Sequence, residues 1–502
     1  MVYLVVGIDG GEPSLIEEFD NLDTFERIRS EGTLTDLEST VPPITSPAWR
    51  SYSTGKTPGR LDRYGWETFD RDSKTFTPSR DVEFLSLNYW DVLAAHGYRC
   101  GVVNIPTTFP PHTNSDDVLL VGGKPATDGD DFCSPEHLKG ELLDAVPEYQ
   151  LEPDCRADAV SAATYANEVC ELVKQRFDTA RWLFESKDCE LVHTTIFKID
   201  TLQHHYWNEK DEIERVYRAI DRELGAMLKE FDIDGLFLLS DHGFTGLRGT
   251  FKPNQWLADR GDIKFTPFGK ITKPIWDSPV TNLFQRLATR QLSNYFDSIS
   301  LPNNAPIDWK KTKAIANVHG VIYLNRDAFD GDDEQQRFRE NLIDDLKSLS
   351  LSDGTPIVDT VHRGENYYTE ATDPPELVIE FEQGIDAADY TLGGAAFNDS
   401  GKLDSWQAVH DTHGLFGAWG DGIGTTENTF SLTDVAPTLL HHLNVPIPTD
   451  MDGEPRLDLF TGKSETRDPK MGEPTSIRCW DSDTSGRSHD VDNTLRDLGY
   501  IS

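Results

Sequence analysis

The chain has 502 residues, 37% hydrophobic and 27% charged, which suits a soluble globular protein of two to four packed units with a large core. Asp and Glu total 87 against 47 Lys and Arg, and the formal net charge of −40 makes a surface that repels nucleic-acid phosphates and anionic lipid. No apolar run approaches the ~20 residues needed to span a bilayer. The acid is spread along the whole chain, as in DSPVTN, DGDDEQQ and RSHDVDN. That is the composition of salt-adapted proteins, whose self-repulsion is screened by a short Debye length. The six cysteines include no C-x-x-C pair, so a cysteine zinc site or redox motif is not expected and reduced structural thiols are.

The first predicted element is the strand YLVVGI, 3–8. The opening MVYLVVGIDG lacks a basic segment and a small-residue cleavage site, so it reads as a core strand and not a secretory signal, and the protein is expected to be cytoplasmic. Next comes VPPITSPAWRSYSTGKTPGR. Ser46 and Pro47 read as N-cap and first residue of a helix running to about Thr54, with Gly55 and Pro58 ending it. Thr45 then sits just before that helix, its hydroxyl near free N–H groups that favour an anion. The alternative is that Thr45 and Ser46 only cap the helix. STGKT resembles the tail of a P-loop, but Arg50 stands where the first glycine belongs, which excludes a P-loop NTPase.

Further strands follow at 98–105, 191–199, 235–240, 320–325, 375–381 and 414–420, with amphipathic helices at 159–186 and 211–230. Continuous apolar runs alternating with helices predict an α/β fold around a mainly parallel central sheet. The α/β core is assigned to 1–244 and 371–461. Residues 245–370 are read as an inserted cap, with short helical pieces at 281–296, and 462–502 as a polar C-terminal tail that wraps the core or is partly disordered.

Three strand-like runs end at an acidic residue: YLVVGI at Asp9, LVHTTIFKI at Asp200, and GLFLLS at Asp241 followed by His242. A carboxylate just past a buried parallel strand lies where open α/β folds place their ligands. One such Asp is commonly a helix N-cap, but three, two of them with a nearby histidine, suggest a metal site. Asp200 and His204 are spaced i, i+4 and fall on one face if a helix begins at Asp200. The segment HDTHGLFGAWG offers a further histidine. His413 directly precedes an apolar strand and is followed by glycine, and it is preferred over His410 on that pattern together with a family resemblance of these segments.

These segments resemble the alkaline phosphatase superfamily, specifically its type I phosphodiesterase/nucleotide pyrophosphatase branch. VVGIDGGEP, PPITSPAWRSYSTGKTPG, NIPTTFPP, FKIDTLQHHYW, LLSDHGF, THGLFGAWGDGI and SLTDVAPTLLHHLNVPIPTDMDG carry the resemblance, in the family's order, from residue 2 to about 453. The resemblance implies two divalent metal ions. One would be held by Asp200, His204 and His413, the other by Asp9, Asp241, His242 and the Thr45 oxygen. Nitrogen and hard-oxygen donors without sulfur suit Zn²⁺, with Mn²⁺ as an alternative. It further implies phosphodiester or pyrophosphate hydrolysis of a small phosphate ester through a phosphothreonine at Thr45.

The chain departs from the branch at Ala48, where many diesterases carry a phosphate-binding Asn; Arg50 is a candidate substitute. Rival readings are a phosphomonoesterase, a phosphotransferase or mutase, a sulfatase, and a non-catalytic metal-binding relative. The sulfatase reading lacks its Cys or Ser nucleophile and the Arg four residues on, which here is Trp49.

Overall fold

The computed structural model describes residues 1–78, 86–266, 307–387, 395–399, 406–462 and 468–473. The helical pieces expected at 281–296 and most of the polar tail lie outside the described residues. The chain divides into two compact units, one of residues 1–63, 80–246 and 404–500, the other of 64–79, 247–403 and the last two residues.

A nine-stranded mixed sheet organises the first unit. Its strands in chain order are β1 (Tyr3–Ile8), β2 (Thr33–Glu38), β3 (Cys100–Val103), β4 (Val118–Val121), β5 (Cys133–Ser134), β6 (Leu191–Ile196) and β7 (Gly235–Leu239). A two-stranded antiparallel ladder of β8 (Gly243–Gly246) and β9 (Ala408–Asp411) stands apart from the sheet, and β10 (His413–Gly420) and β11 (Phe430–Ser431) complete it. The order across the sheet is β11-β2-β10-β7-β1-β6-β3-β4-β5. The run from β7 through β1, β6 and β3 to β4 is parallel. β10 is antiparallel to both its neighbours, β2 and β7.

Apolar runs become strands here because both faces of the sheet are covered. Alternate residues of β1 enter opposite cores. Leu4, Val6 and Ile8 join one hydrophobic cluster, which also takes the buried stripes of α2 (Ala162–Lys187) and α4 (Lys210–Glu230). Tyr3 and Val5 join the other, with Ala48, Trp49 and Tyr52 of α1 (Thr45–Thr54). On α4 the buried Ile213, Val216, Tyr217, Ile220, Leu224 and Met227 recur every three or four residues, the stripe that an amphipathic helix presents to a sheet. Ser161 caps α2 by accepting the Thr164 N–H. α3 (Lys198–Tyr206) follows β6 almost directly. It opens at Lys198, two residues before the predicted Asp200, and keeps Asp200 and His204 one turn apart.

α1 also starts earlier than predicted, at Thr45. Pro47 is therefore the third helical residue. It is tolerated there because the N–H groups of a first turn have no intrahelical partner in any case. Gly55 ends the helix in the left-handed region at φ 64°.

In the second unit, strands 314–316, 321–324, 377–381 and 358–363 form an antiparallel sheet, in that spatial order. Helix Asp332–Lys347 packs on strand Val358–Arg363 through an apolar side that includes Leu342, Ile343 and Leu346. A hairpin of Glu67–Asp70 and Thr75–Pro78 belongs to the same unit. Strand Leu377–Phe381, which the apolar run PELVIEF predicts, pairs with Val321–Leu324 and Val358–Arg363.

Candidate active site

The site forms at the carboxyl ends of three adjacent parallel strands, the place where open α/β sheets collect ligands. β1 delivers Asp9, β7 delivers Asp241 and His242 two and three residues beyond its end, and β6 leads through Phe197 into α3 with Asp200 and His204. Thr45 enters at the start of α1. Asp9, Thr45, Asp241 and His242 are fully buried, and Asp200 and His204 nearly so.

One group gathers around His242. Its Nε2 lies 3.3 Å from Asp241 Oδ2, 3.7 Å from Asp9 Oδ1 and 3.4 Å from Thr45 Oγ1. The second oxygen of each carboxylate is engaged: Asp9 Oδ2 accepts from Trp49 Nε1 at 2.8 Å, and Asp241 Oδ1 accepts from the Gly10 N–H at 3.1 Å. Asp9 Oδ1 and Asp241 Oδ2 are buried without any hydrogen-bond donor. Burial, with neighbouring carboxylates adding to it, pushes both acids well above the usual carboxylate range. Burial pulls His242 well below the imidazole range. Two orphaned carboxylate oxygens and an imidazole nitrogen facing each other ask for a cation.

A second group gathers around Asp200. Its Oδ1 lies 3.4 Å from His204 Nε2 and 3.2 Å from His410 Nε2, and the two Nε2 atoms are 3.0 Å apart. Burial works against the Asp200 carboxylate, but His204 and His410 outweigh it and hold it well below the usual range. The tautomers are set from behind. His204 Nδ1 donates to the Ala408 carbonyl at 2.9 Å, His410 Nδ1 to Pro43 at 2.8 Å and His242 Nδ1 to Gly243 at 3.1 Å. With each Nδ1–H spent on a carbonyl, a neutral ring would turn its Nε2 lone pair inward. Two such lone pairs at 3.0 Å repel unless a positive charge sits with them. The His242 and His410 rings stack at 3.6 Å between centroids and so join the two groups. The ligand atoms fall into two sets that fit divalent cations, Asp9, Asp241 and His242, and Asp200, His242 and His410.

The structure places the expected His413 away from both groups. Its side chain is 60% exposed and faces Asp411, while His410 joins Asp200, His204 and His242. The reason is the long-range pairing of β8 with β9. β8 follows directly on His242, and β9 pairs against it with Phe244 opposite His410, so the ladder delivers His410 to the site. His413 opens β10 opposite Glu38, at the rim of the sheet. Gly243 permits the close fit, since a Cβ there would meet the His413 carbonyl oxygen at 1.9 Å. A short segment of strand character before THG, set against the GFTG that follows Asp241-His242, was the available signal for His410.

Arg50 is buried on α1 and donates through Nη2 to the Thr107 carbonyl. It thereby anchors the NIPTT segment, whose Thr107 adopts φ 69°, a costly backbone for a β-branched residue. Two aromatic partners escaped the sequence reading. Trp49 fixes Asp9, and Trp406 stacks on His204 at 3.7 Å between centroids.

This architecture is similar to that of human ectonucleotide pyrophosphatase/phosphodiesterase 5, at 15% identity and a TM-score of 0.51, with 92% of this chain and 100% of that one covered. It is also similar to phosphonoacetate hydrolase from Sinorhizobium meliloti 1021, at 14% identity and a TM-score of 0.53, with 87% and 94% covered. The murine phosphodiesterase 5, solved as an inactive threonine-to-alanine variant with AMP, resembles it at 14% identity and a TM-score of 0.50, with 92% and 100% covered. These likenesses show the α/β fold, a large mixed sheet flanked by helices. No curated protein matches the sequence significantly. The type I phosphodiesterase/nucleotide pyrophosphatase family matches residues 3–414, and the chain belongs to that family of metal-dependent phosphoester hydrolases. Among the described residues no helix is long and apolar enough to cross a membrane.

Proposed function

We propose that the protein hydrolyses phosphate esters through a phosphothreonine at Thr45, with two divalent ions, Zn²⁺ or Mn²⁺, as cofactors. Asp200, His204 and His410 would hold one ion, and Asp9, Asp241, His242 and the Thr45 oxygen the other. Bound there, the ions supply positive charge that lowers the pKa of the threonine hydroxyl and neutralises phosphoryl oxygens. The observation that carries the reading is Thr45 Oγ1 at 3.4 Å from His242 Nε2, beside the orphaned oxygens of Asp9 and Asp241.

The Thr45 hydroxyl gives its proton to solvent water, which in turn protonates the departing ester oxygen, and Oγ1 attacks phosphorus. A bond forms from Oγ1 to phosphorus, and the ester oxygen departs with its electron pair. The N–H groups of Thr45 and Ser46 in the first turn of α1 offer donors and a positive helix end to the phosphoryl oxygens. Water then cleaves the phosphothreonine and returns the hydroxyl. Trp49 holds Asp9 in place throughout.

Ala48, fully buried, stands where many diesterases of the branch place an Asn. That favours a small phosphodiester or pyrophosphate substrate without a required nucleotide. The evenly spread acid supports a high-salt setting. The test is turnover of bis-p-nitrophenyl phosphate, p-nitrophenyl phosphate, a nucleotide-sugar and a sulfate ester by the metal-loaded protein in high salt. The diester should be hydrolysed fastest. Thr45→Ala should lower turnover at least ~10³-fold while metal analysis still finds ions bound. A Thr45→Ala variant with normal turnover would remove the nucleophile assignment.

A further inference from the structure

Behind the catalytic edge, three buried cations crowd the junction of β6, α2 and α3. Lys124, Arg176 and Lys198 are at most 5% exposed. Glu152 forms ion pairs with both lysines, at 2.6 Å to Lys198, and it is the carboxylate they share. Arg176 has no carboxylate within ion-pair distance among the described residues. Its Nη2 donates to the Leu151 carbonyl at 3.3 Å, its guanidinium lies over the Tyr149 ring at 4.8 Å, and its Nη1 has no hydrogen-bond partner. Asp128 is in electrostatic reach of Arg176, but it is solvent-exposed and accepts from the Leu151 N–H. Asp9 and Asp200 face Lys198 from the other side and are committed to the metal groups.

Arg176 and Lys198 line a cavity of about 10 Å³, completed by apolar groups that include Leu151, Val169, Leu172 and Ile196. That volume holds the centre of one water-sized body. Burial pulls Arg176 below its ordinary value, and Asp128 only partly offsets it. A buried guanidinium without a counter-ion is costly, and so is an unmade hydrogen bond from its nitrogen. Water would satisfy the nitrogen and leave the charge. A monoatomic anion does both.

We propose that this cavity binds one small monovalent anion, of the class of chloride, between Arg176 and Lys198. The site is separate from the phosphoester chemistry and does not depend on that reading. Its occupant stabilises the first turn of α3, the helix that carries Asp200 and His204.

The test compares the metal-loaded, full-length protein in sodium chloride and sodium gluconate at equal ionic strength. Chloride should raise the thermal midpoint by a few degrees with saturation, as a ligand of the folded state does. Arg176→Gln should remove the saturable rise while retaining the midpoint seen in gluconate. A crystal grown with sodium bromide should show an anomalous peak in contact with Arg176 and Lys198. Equal midpoints in the two salts, an unchanged chloride response in Arg176→Gln, or a bromide-free cavity would each overturn the proposal. Should Arg176→Gln fail to fold, the bromide peak in the unaltered protein decides.

Discussion

Single atoms decide the site. Asp9 and Asp241 each give one oxygen to a protein donor and keep the other for the shared pocket with His242. Which histidine completes the Asp200 group is equally specific, because His410 reaches it and His413 does not. His410→Ala should therefore release about one ion per chain and lower turnover at least ~100-fold, whereas His413→Ala should leave both within about twofold. Elemental analysis beside a rate assay reads the difference. A loss of metal in His413→Ala would return that residue to the ligand set.

His193 gives the clearest pH effect. It is buried behind Trp49 with Tyr89 and Tyr52 on its Nδ1, and burial pulls its pKa down to about 3. An unfolded chain holds its imidazole near 6.5. Both states are neutral at pH 7, so nothing is lost there. Below about 6.5 the unfolded chain takes up a proton that the folded one refuses, and stability falls by up to about 1.4 kcal/mol per pH unit, until the folded pKa is passed. His193→Gln should flatten that part of the acid limb. Chemical-denaturation midpoints of the two proteins between about pH 7 and 4 measure it, and parallel curves would contradict it.

At the scale of elements, legibility followed the local code. Strands buried on both faces announce themselves as apolar runs, so β1, β6, β7 and β10 were readable within a few residues. The i, i+4 spacing of Asp200 and His204 was readable for the same reason. β2, with TLTDLE, and the four-residue strands β8 and β9 carry no such signal, since their character comes from pairing across hundreds of residues. His410 stood among the candidates and was passed over for His413, because only the pairing with β8 decides which of the two reaches the site. A residue assigned by pairing cannot be found by periodicity. The pairing of β8 with β9 also sets a steric test. Gly243→Ala would drive a Cβ to 1.9 Å from the His413 carbonyl. That should destabilise the protein by on the order of 3 kcal/mol and lower metal content, a combination that thermal unfolding and elemental analysis detect. An alanine variant with unchanged midpoint and metal would mean that the strand ends move apart freely.

For the whole molecule, the charge of −40 is the dominant long-range force. Raising salt from ~0.1 M to ~1 M shortens the Debye length from about 10 Å to about 3 Å and weakens self-repulsion between surface carboxylates. The thermal midpoint in sodium gluconate should rise across that interval, which isolates screening from any anion held in the cavity. A falling midpoint would show that attractive surface pairs outweigh the repulsion.

The place of β10 in the sheet has a consequence for how the chain matures. It lies between β2 and β7, joining residues 33–38 to 235–239 through residues 413–420. Until those late residues arrive, β2 has no bridge to the rest of the sheet, and His410 is missing from the site as well. During synthesis the early part of the chain can assemble the strands from β7 through β1 and β6 to β4, yet it remains without its full set of ligands. Under the proposed metal site, tight metal capture should await the late residues, and a nascent or truncated product that stops short of His410 should be catalytically silent.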